Sequence, residues 1–184
     1  MNIFEKKKFE RETFKKRRDH ISFSQRKNVE ENVRIYVDSF MKECENIGYI
    51  GIYWPLKNEV DIRSLKEKIS LALPRCKKRE LLFYPWDEKP LSKDSEGILS
   101  PNNFISLTHR QISMIFVPCL SVDKNLIRLG YGGGYFDKLR GDKNWKNIPC
   151  IGVLTSNCVS TTPLTRAEWD IPLSGFITEK EIFV

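Results

Sequence analysis

The sequence predicts an α/β fold in which a mostly parallel sheet carries helices on both faces, a three-layer α/β/α arrangement. Two observations predict this fold. Short, continuous apolar runs alternate along the chain with longer segments of helical periodicity, and such runs are typical of parallel strands that are buried on both faces. The chain also has 184 residues, of which 40% are hydrophobic. It can therefore bury a core of ordinary size, and we expect a single domain over residues 1–184.

The first element is predicted to be a basic helix over about residues 1–20. Residues 1–27 hold ten Lys and Arg against four Asp and Glu, so they carry six of the seven net positive charges of the chain. Four side chains share one stripe of this helix at i, i+4, i+7 and i+11 spacing, namely Lys7, Arg11, Phe14 and Arg18. The stripe could present cations to a phosphate, and a solvated helix of mixed charge is the plainer alternative.

The charge pattern and the short apolar runs disfavour a nucleic-acid partner and a membrane partner. Acidic residues interleave with the basic ones in this helix, which weakens the case for a helix that lies on RNA or lipid. The rest of the chain is close to electrical balance, so we expect no nucleic-acid partner. We also expect no membrane partner, since no apolar run approaches the roughly 20 residues that a membrane span needs. The five cysteines are dispersed and odd in number, which favours a reduced, cytoplasmic protein.

A second helix is predicted to begin at residue 22 and to end before Gly48. Ser22 and Gln25 fit a capping box, in which the hydroxyl accepts from a free amide of the first turn and the Gln side chain reaches back to the cap. Apolar side chains then repeat at helical spacing, at Val29, Val33, Tyr36, Val37 and Phe40. They give this helix one apolar face for packing on the sheet.

Five apolar runs after this helix are predicted strands. They cover residues 49–54, 81–84, 113–117 and 150–154, with a shorter run at 175–178. The first three end at a proline, which cannot donate to a strand ladder. A short helix is predicted around Leu65, and residues 86–103 are predicted to form a long loop of the kind that is often functional. Ligands of parallel α/β sheets bind at the carboxyl ends of the strands, which are here Trp54, Tyr84 and Val117.

The most informative segment is Arg-Leu-Gly-Tyr-Gly-Gly-Gly-Tyr-Phe-Asp at residues 128–137. Four glycines within five positions allow backbone angles that a Cβ would forbid, and they let successive amides turn toward one anion. A helix over residues 135–140 would add its free N-terminal amides. Arg128 offers a fork of donors, and Asp137 offers a hard oxygen ligand for a Mg²⁺ shared with phosphates. The segment predicts a phosphate-binding loop, with a plain tight connection as the alternative, and it matches neither a Walker A motif nor G-x-G-x-x-G.

This decapeptide resembles the signature of the 5-formyltetrahydrofolate cyclo-ligase family, also called methenyltetrahydrofolate synthetases, which normally ends in Tyr-Tyr-Asp. Other motifs of the family recur in the same order: Lys-x-x-x-Arg at Lys7 and Arg11, Glu-Val-Asp at 59–61, Ile-Phe-Val-Pro at 115–118, and Glu-x-Asp at 168–170. The resemblance covers nearly the whole chain. The sequence departs from the family pattern at Glu10, Ile62, Phe136, Asn157 and Trp169.

The resemblance implies an enzyme that uses ATP and Mg²⁺ to convert 5-formyltetrahydrofolate into 5,10-methenyltetrahydrofolate. The formyl oxygen would be phosphorylated, N10 would close the ring, and ADP and phosphate would be released. The implied ATP-binding residues are Lys7, Arg11, Arg128, Leu129, Gly130, Tyr131, Gly132, Gly133, Gly134, Tyr135 and Phe136. The implied catalytic residues are Arg128 and Tyr135, the implied folate contacts are Trp54, Glu59, Tyr131 and Tyr135, and the implied Mg²⁺ ligands are Asp137 and Asp170.

Two other functions stay open at this point. A homologue that binds folate or nucleotide but is catalytically impaired is suggested by the altered segment around Asn157 and Trp169. An RNA-binding module would use the basic arm, and its affinity would depend on salt. The main expectation is a monomeric cytoplasmic enzyme that acts on small molecules, with its basic first helix packed over the nucleotide site.

Overall fold

The computed structural model describes residues 2–87, 89–103 and 105–184. Its α-helices are α1 (Ile3–Asp19), α2 (Phe23–Glu43) and α3 (Tyr135–Gly141), and short 3₁₀ helices cover Arg63–Glu67, His109–Gln111 and Ser156–Cys158. The strands are β1 (Tyr49–Gly51), β2 (Leu71–Lys77), β3 (Glu80–Pro85), β4 (Ser92–Lys93), β5 (Leu99–Ser100), β6 (Ile112–Pro118), β7 (Ser121–Val122), β8 (Arg128–Leu129), β9 (Cys150–Val153), β10 (Gly175–Ile177) and β11 (Ile182–Phe183).

A seven-stranded sheet organises the fold, with the strand order β11-β10-β9-β6-β1-β2-β3. The five inner strands run parallel to one another, and the edge strands β3 and β11 run antiparallel to their neighbours. The remaining strands form two small ribbons, β4 with β5 and β7 with β8. The predicted α/β class with a mostly parallel sheet is confirmed.

The hairpin of β2 and β3 corrects the prediction of a single strand at residues 81–84. Its two strands are antiparallel and meet at Lys78 and Arg79, whose φ values of 49° and 68° are left-handed. Such angles match the twist of a two-residue hairpin turn, but the usual Asn-Gly is absent, so the sequence carried no turn signal. Because β3 runs backwards, its carboxyl end pairs with the start of β2 at Ala72. The expectation that Tyr84 lies at the shared carboxyl edge is therefore wrong.

Apolar side chains cover both faces of the sheet. On one face the valines of α2 are fully buried against Ile50 and Ile52 of the β1 segment and Met114 and Phe116 of β6. On the other face Ile115 and Val117 pack in a cluster that also contains Phe14 of α1 and Leu139 of α3. The alternation along β6 is the period of two expected for a strand. Helices thus lie on both faces, as predicted.

The helix α1 is capped by Asn2 and held to the body largely by polar contacts. The predicted stripe is present, since Lys7 and Phe14 are the buried residues of this helix. On the next turn, Glu10 Oε1 accepts hydrogen bonds from the amide and the hydroxyl of Thr165, at 2.9 and 2.8 Å. The predicted capping box of Ser22 and Gln25 is also confirmed at the start of α2. No helix in the described ranges combines the length and the apolar character needed to cross a membrane.

Candidate active site

A cavity of about 650 Å³ opens where α1, the segment after β1, the glycine-rich segment and the C-terminal segment meet. Its volume lies within the range typical of small-molecule sites. All fifteen residues to which the sequence assigned a site role line it: Lys7, Arg11, Trp54, Glu59, Arg128, Leu129, Gly130, Tyr131, Gly132, Gly133, Gly134, Tyr135, Phe136, Asp137 and Asp170. The fold thus brings together residues that are up to 163 positions apart in the chain.

The glycine-rich segment forms an open loop between β8 and α3. Gly132 and Gly134 have φ values of +108° and +70°, which side-chain-bearing residues rarely adopt. The loop is held against α1, because Arg11 Nε donates to the carbonyl of Gly130 at 2.9 Å. The guanidinium of Arg11 also lies beside Gly132, where an added Cβ would be 3.5 Å from its central carbon. A cation of the first helix and the glycine loop therefore form one surface.

Arg128 holds the far side of this loop. Its Nη1 donates to the carbonyl of Pro118 at 3.1 Å, and its Nη2 donates to Asp137 Oδ1 at 3.0 Å. The guanidinium also lies 5.4 Å from the ring centroid of Phe136. Arg128 is thus fixed in place beside the cavity, and one oxygen of Asp137 is engaged with it.

Lys7 and Asp170 form an ion pair in the wall of the cavity, with 11% and 6% of their side chains exposed. Asp170 Oδ2 accepts from Lys7 Nζ and also from the amide of Ala167, at 2.7 Å for the amide. The backbone just after Asp170 is anchored by Arg140, which donates to the carbonyls of Ile171 and Pro172. This arrangement makes Asp170 a partner that positions the Lys7 ammonium.

Glu59 is the carboxylate most strongly removed from water at this site, with 4% of its side chain exposed. Its Oε2 accepts from the amide of Leu56 at 2.7 Å, whereas its Oε1 lies 3.9 Å from Arg18 Nη1 and is buried without a hydrogen bond. Burial raises the pKa of Glu59, and the Leu56 amide and the Arg18 charge oppose the rise. Glu59 lines the cavity, so this free acceptor could bind a ligand N–H after a small shift of the Arg18 side chain.

Trp54 lies beside Glu59 in the cavity wall, and two neighbours fix its ring. The guanidinium of Arg63 lies 4.2 Å from the ring centroid, and Trp86 packs edge-on at 6.3 Å. Trp86 itself does not line the cavity, whereas Trp54 and its neighbour Tyr53 do. A flat ring with one face toward the cavity is suited to stacking on a flat ligand.

Two acidic residues of the cavity wall were not predicted from the sequence as site residues. Asp94 and Glu96 lie in the ribbon of β4 and β5, within the segment 86–103 that was predicted to be a functional loop. Tyr135 donates its hydroxyl hydrogen bond to Glu96 Oε1. This contact and partial burial raise the pKa of Tyr135 to about 12. Tyr135 therefore keeps its proton near neutral pH, and this proton is donated to Glu96.

The carboxylates suit a metal ion that arrives with phosphate ligands. Within the described ranges no group of three His, Cys, Asp or Glu side chains could hold a metal ion alone. Mg²⁺ is usually bound by one or two carboxylates together with substrate phosphates and water. Asp137 fits this role, since it lines the cavity beside the glycine loop and 27% of its side chain is exposed.

A model of the 5-formyltetrahydrofolate cyclo-ligase family matches residues 3–179 of the chain. The chain belongs to this family. The predicted family and enzyme class are therefore confirmed, and the decapeptide and the four other motifs recognised in the sequence all fall within the matched range.

Relatives and solved structures agree with this assignment. The cyclo-ligase chain is 27% identical to the 5-formyltetrahydrofolate cyclo-ligase of Haemophilus influenzae over 136 residues, 67% of this chain and 72% of the relative. It is 28% identical to the Escherichia coli K12 protein of the same name over 74 residues, 40% of each chain. The NMR structure of Aquifex aeolicus 5,10-methenyltetrahydrofolate synthetase superposes with a TM-score of 0.78 at 27% identity, covering 96% of this chain and 91% of that one.

A second solved structure supports the fold alone. The Mycoplasma pneumoniae 5,10-methenyltetrahydrofolate synthetase superposes with a TM-score of 0.71 at 23% identity, covering 94% of this chain and 98% of that one. The likeness to both structures covers nearly the whole chain, so the fold described above is shared with them.

Proposed function

We propose that this cyclo-ligase converts 5-formyltetrahydrofolate into 5,10-methenyltetrahydrofolate, with ATP as co-substrate and ADP and phosphate as further products. One observation carries the proposal. The glycine loop and the cations Lys7 and Arg11 line the same cavity as Glu59 and Trp54. A surface suited to phosphates therefore faces a surface suited to a flat, hydrogen-bonding ring, as the reaction requires.

The glycine loop forms the nucleotide end of the cavity. Phosphoryl transfer depends mostly on positioning and on the neutralisation of charge, so fixed cations are the main requirement. Lys7 is held by Asp170, Arg11 by the carbonyl of Gly130, and Arg128 by Asp137 and a strand-end carbonyl. These cations need little rearrangement when the phosphates bind, and their charge is available to the transferred group.

Glu59 and Trp54 form the folate end. The pterin ring of a folate carries N–H donors along one edge, and a carboxylate can accept from two of them. Glu59 Oε1 has no such donor in the protein. The Trp54 ring, held by Arg63, supplies a face for the pterin, and Tyr131 from the glycine loop borders the same cavity. The folate would thus lie with its formyl group toward the loop.

The chemistry requires the formamide oxygen to become a good leaving group. The formyl oxygen attacks the γ-phosphorus, the bond from that phosphorus to the ADP oxygen breaks, and ADP leaves. N10 then attacks the formyl carbon and loses its proton, and phosphate departs as the methenyl bridge forms. Arg128 would neutralise charge on the transferred phosphoryl group. Tyr135 would border the phosphates on the loop side of the cavity, with its hydroxyl proton donated to Glu96.

Asp137 would hold the Mg²⁺ together with the phosphates, while Asp170 stays engaged with Lys7. The ion would neutralise charge on the phosphates and fix their orientation. Arg128 keeps Oδ1 of Asp137 in place, so the second oxygen would be the one that binds the ion.

The proposal is tested by mixing the protein with ATP, Mg²⁺ and 5-formyltetrahydrofolate. Formation of the methenyl product, followed by its absorbance, should match the release of ADP in equal amounts. Omission of any one component should abolish both signals. Binding of folate and nucleotide by calorimetry without any product would instead identify the catalytically impaired homologue that the altered C-terminal segment suggests.

Replacement of Glu59 is expected to remove a pH dependence of folate binding. Burial raises its pKa above the usual 4.5, so the carboxyl is ionised above the raised value and becomes protonated as the pH falls through it. The KM for 5-formyltetrahydrofolate should rise as the pH falls through this raised pKa, because a protonated carboxyl loses an acceptor for the pterin. Glu59→Gln should show a high KM at every pH. The exposed Glu12→Gln on α1 serves as control, and a KM of Glu59→Gln equal to that of the parent would reject the contact.

Replacement of Asp137 is expected to raise the Mg²⁺ concentration needed for half-maximal rate by at least about tenfold. The carboxylate oxygen is lost in Asp137→Asn, whereas the side chain still accepts from Arg128 through its amide oxygen. The fold should change little, because the side chain is partly exposed. Asp142→Asn, at an exposed position just past α3, should leave the Mg²⁺ titration unchanged. A uniform drop in rate without any shift of the Mg²⁺ midpoint contradicts metal binding at Asp137.

A further inference from the structure

Two large aromatic side chains are exposed at the rim of the cavity. Phe4 of α1 is 67% exposed and Trp169 of the C-terminal segment is 56% exposed, and both line the cavity. Their ring centroids are 6.5 Å apart, with the planes tilted by 32°. Large aromatic residues that stay exposed next to a cavity commonly mark a ligand or partner surface. Neither residue has a role in the function described so far.

The spacing of the two rings suits one flat molecule between them. Carbon atoms in van der Waals contact lie about 3.5–4.0 Å apart, so a ring stacked on both sides needs its neighbours about 7 Å apart. The observed centroid separation of 6.5 Å is close to this value, and the ring planes are within 32° of parallel. A small rotation of either exposed side chain would admit a planar group.

The pair lies at the nucleotide end of the cavity. Phe4 is one helical turn before Lys7, and Trp169 directly precedes Asp170. The buried pair of Lys7 and Asp170 thus fixes both rings near the cations assigned to the phosphates. The folate surface of Glu59 and Trp54 belongs to the segment that follows β1, a different wall of the cavity. A flat group joined to the phosphates would therefore reach this aromatic pair.

We propose that Phe4 and Trp169 bind the base of the nucleotide by stacking on its two faces. The inference rests on the proposed function only in that the cavity takes a nucleoside triphosphate. Stacking on aromatic rings uses the π-face that every purine has and involves no hydrogen-bond recognition of its edge. The site should therefore bind GTP within about fivefold of ATP, and the base should add affinity beyond that of the phosphates alone.

The test compares ATP with inorganic tripolyphosphate, which lacks the base, by calorimetry in the absence of folate. In Phe4→Ala and Trp169→Ala the Kd for ATP should rise by about tenfold or more, since base stacking is worth that much in alanine substitutions. The Kd for tripolyphosphate should stay within about twofold of the parent. Trp169→Phe, which keeps a ring, should recover most of the ATP affinity.

Phe9→Ala is the matched control, because Phe9 is 66% exposed on the same helix but does not line the cavity. It should leave both dissociation constants unchanged. Equal weakening of ATP and tripolyphosphate in the rim variants would mean that the rings only hold Lys7 in place, and it would overturn the proposal. Unchanged ATP affinity in Trp169→Ala, or GTP binding weaker than ATP by more than about 100-fold, would overturn it as well.

This experiment can fail independently of the proposed function. Nucleotide binding is measured without folate and without turnover, so absence of the methenyl product leaves its outcome untouched. A parent protein that makes the product, combined with rim variants of unchanged ATP affinity, would reject the aromatic pair alone. The fluorescence of Trp169, one of four Trp residues, gives a second readout, because quenching on addition of ATP should be lost in Trp169→Phe.

Discussion

A Gly132→Val variant is expected to keep its fold and to lose nucleotide binding. Gly132 has a φ of +108°, a conformation that a β-branched residue avoids. The strain of about 1–3 kcal/mol can be relieved by rearranging the loop, which would move the amides that we assign to the phosphates. The valine would also press on the guanidinium of Arg11, which lies 3.5 Å from the added Cβ. We expect kcat/KM for ATP to fall by about 100-fold or more, measured at saturating folate.

Gly141→Ala is the matched control for this variant. Gly141 ends α3, does not line the cavity, and an added Cβ would have no heavy atom within 4 Å. Its kinetics should equal those of the parent. Thermal denaturation should show that Gly132→Val loses only a few degrees. A Gly132→Val protein with unchanged kcat/KM for ATP would contradict phosphate binding at this loop.

An Asp170→Asn variant is expected to lose both stability and turnover. Lys7 would be left buried without an anion, and breaking such a pair costs about 3–5 kcal/mol. For a chain of this size the melting temperature should fall by roughly 10 °C. Turnover should fall as well, because the ammonium would no longer be held beside the glycine loop. Glu168→Gln, two residues away and exposed, should change neither property.

The double variant Lys7→Met with Asp170→Leu tests whether Asp170 acts through its ion pair with Lys7 or as a direct ligand of Mg²⁺. Removing both charges should restore most of the stability lost in Asp170→Asn, because no unpaired charge remains, while turnover should stay low since Lys7 is absent. If Asp170→Asn instead keeps its stability and only raises the Mg²⁺ requirement, Asp170 is a metal ligand, as the resemblance to the family implies.

The sequence predicted most of the fold because its strands are continuous apolar runs and its helices carry local signals. The capping box of Ser22 and the valine stripe of α2 are examples of such signals, and both are present in the structure. The missed strand β2 has an apolar run of only three residues, Leu71–Leu73, before Pro74, Arg75 and Lys77. Its position is decided by pairing with β1 and β3, a non-local interaction that no periodicity within the segment reveals.

The glycine loop and the Lys7-x-x-x-Arg11 spacing predicted the core of the site because each is a compact motif. Asp94 and Glu96 were missed because they reach the cavity only through the β4–β5 ribbon, which Arg75 of β2 holds by hydrogen bonds to Ser92 and Ser100. The predicted metal ligand Asp170 lines the cavity, but its bond to Lys7 could not be foreseen from spacing across 163 residues.

The separation of 163 residues between Lys7 and Asp170 also determines when the site can form during synthesis of the chain. The helix that contributes Lys7 and Glu10 is synthesised before its partners Asp170 and Thr165, which follow 163 and 155 residues later. Contacts between such distant positions form late, because a large loop must close before they contribute. A nascent chain can therefore complete its central strands before the proposed nucleotide site forms, and a product truncated ahead of Thr165 would keep α1 and the glycine loop without the partners of Lys7 and Glu10.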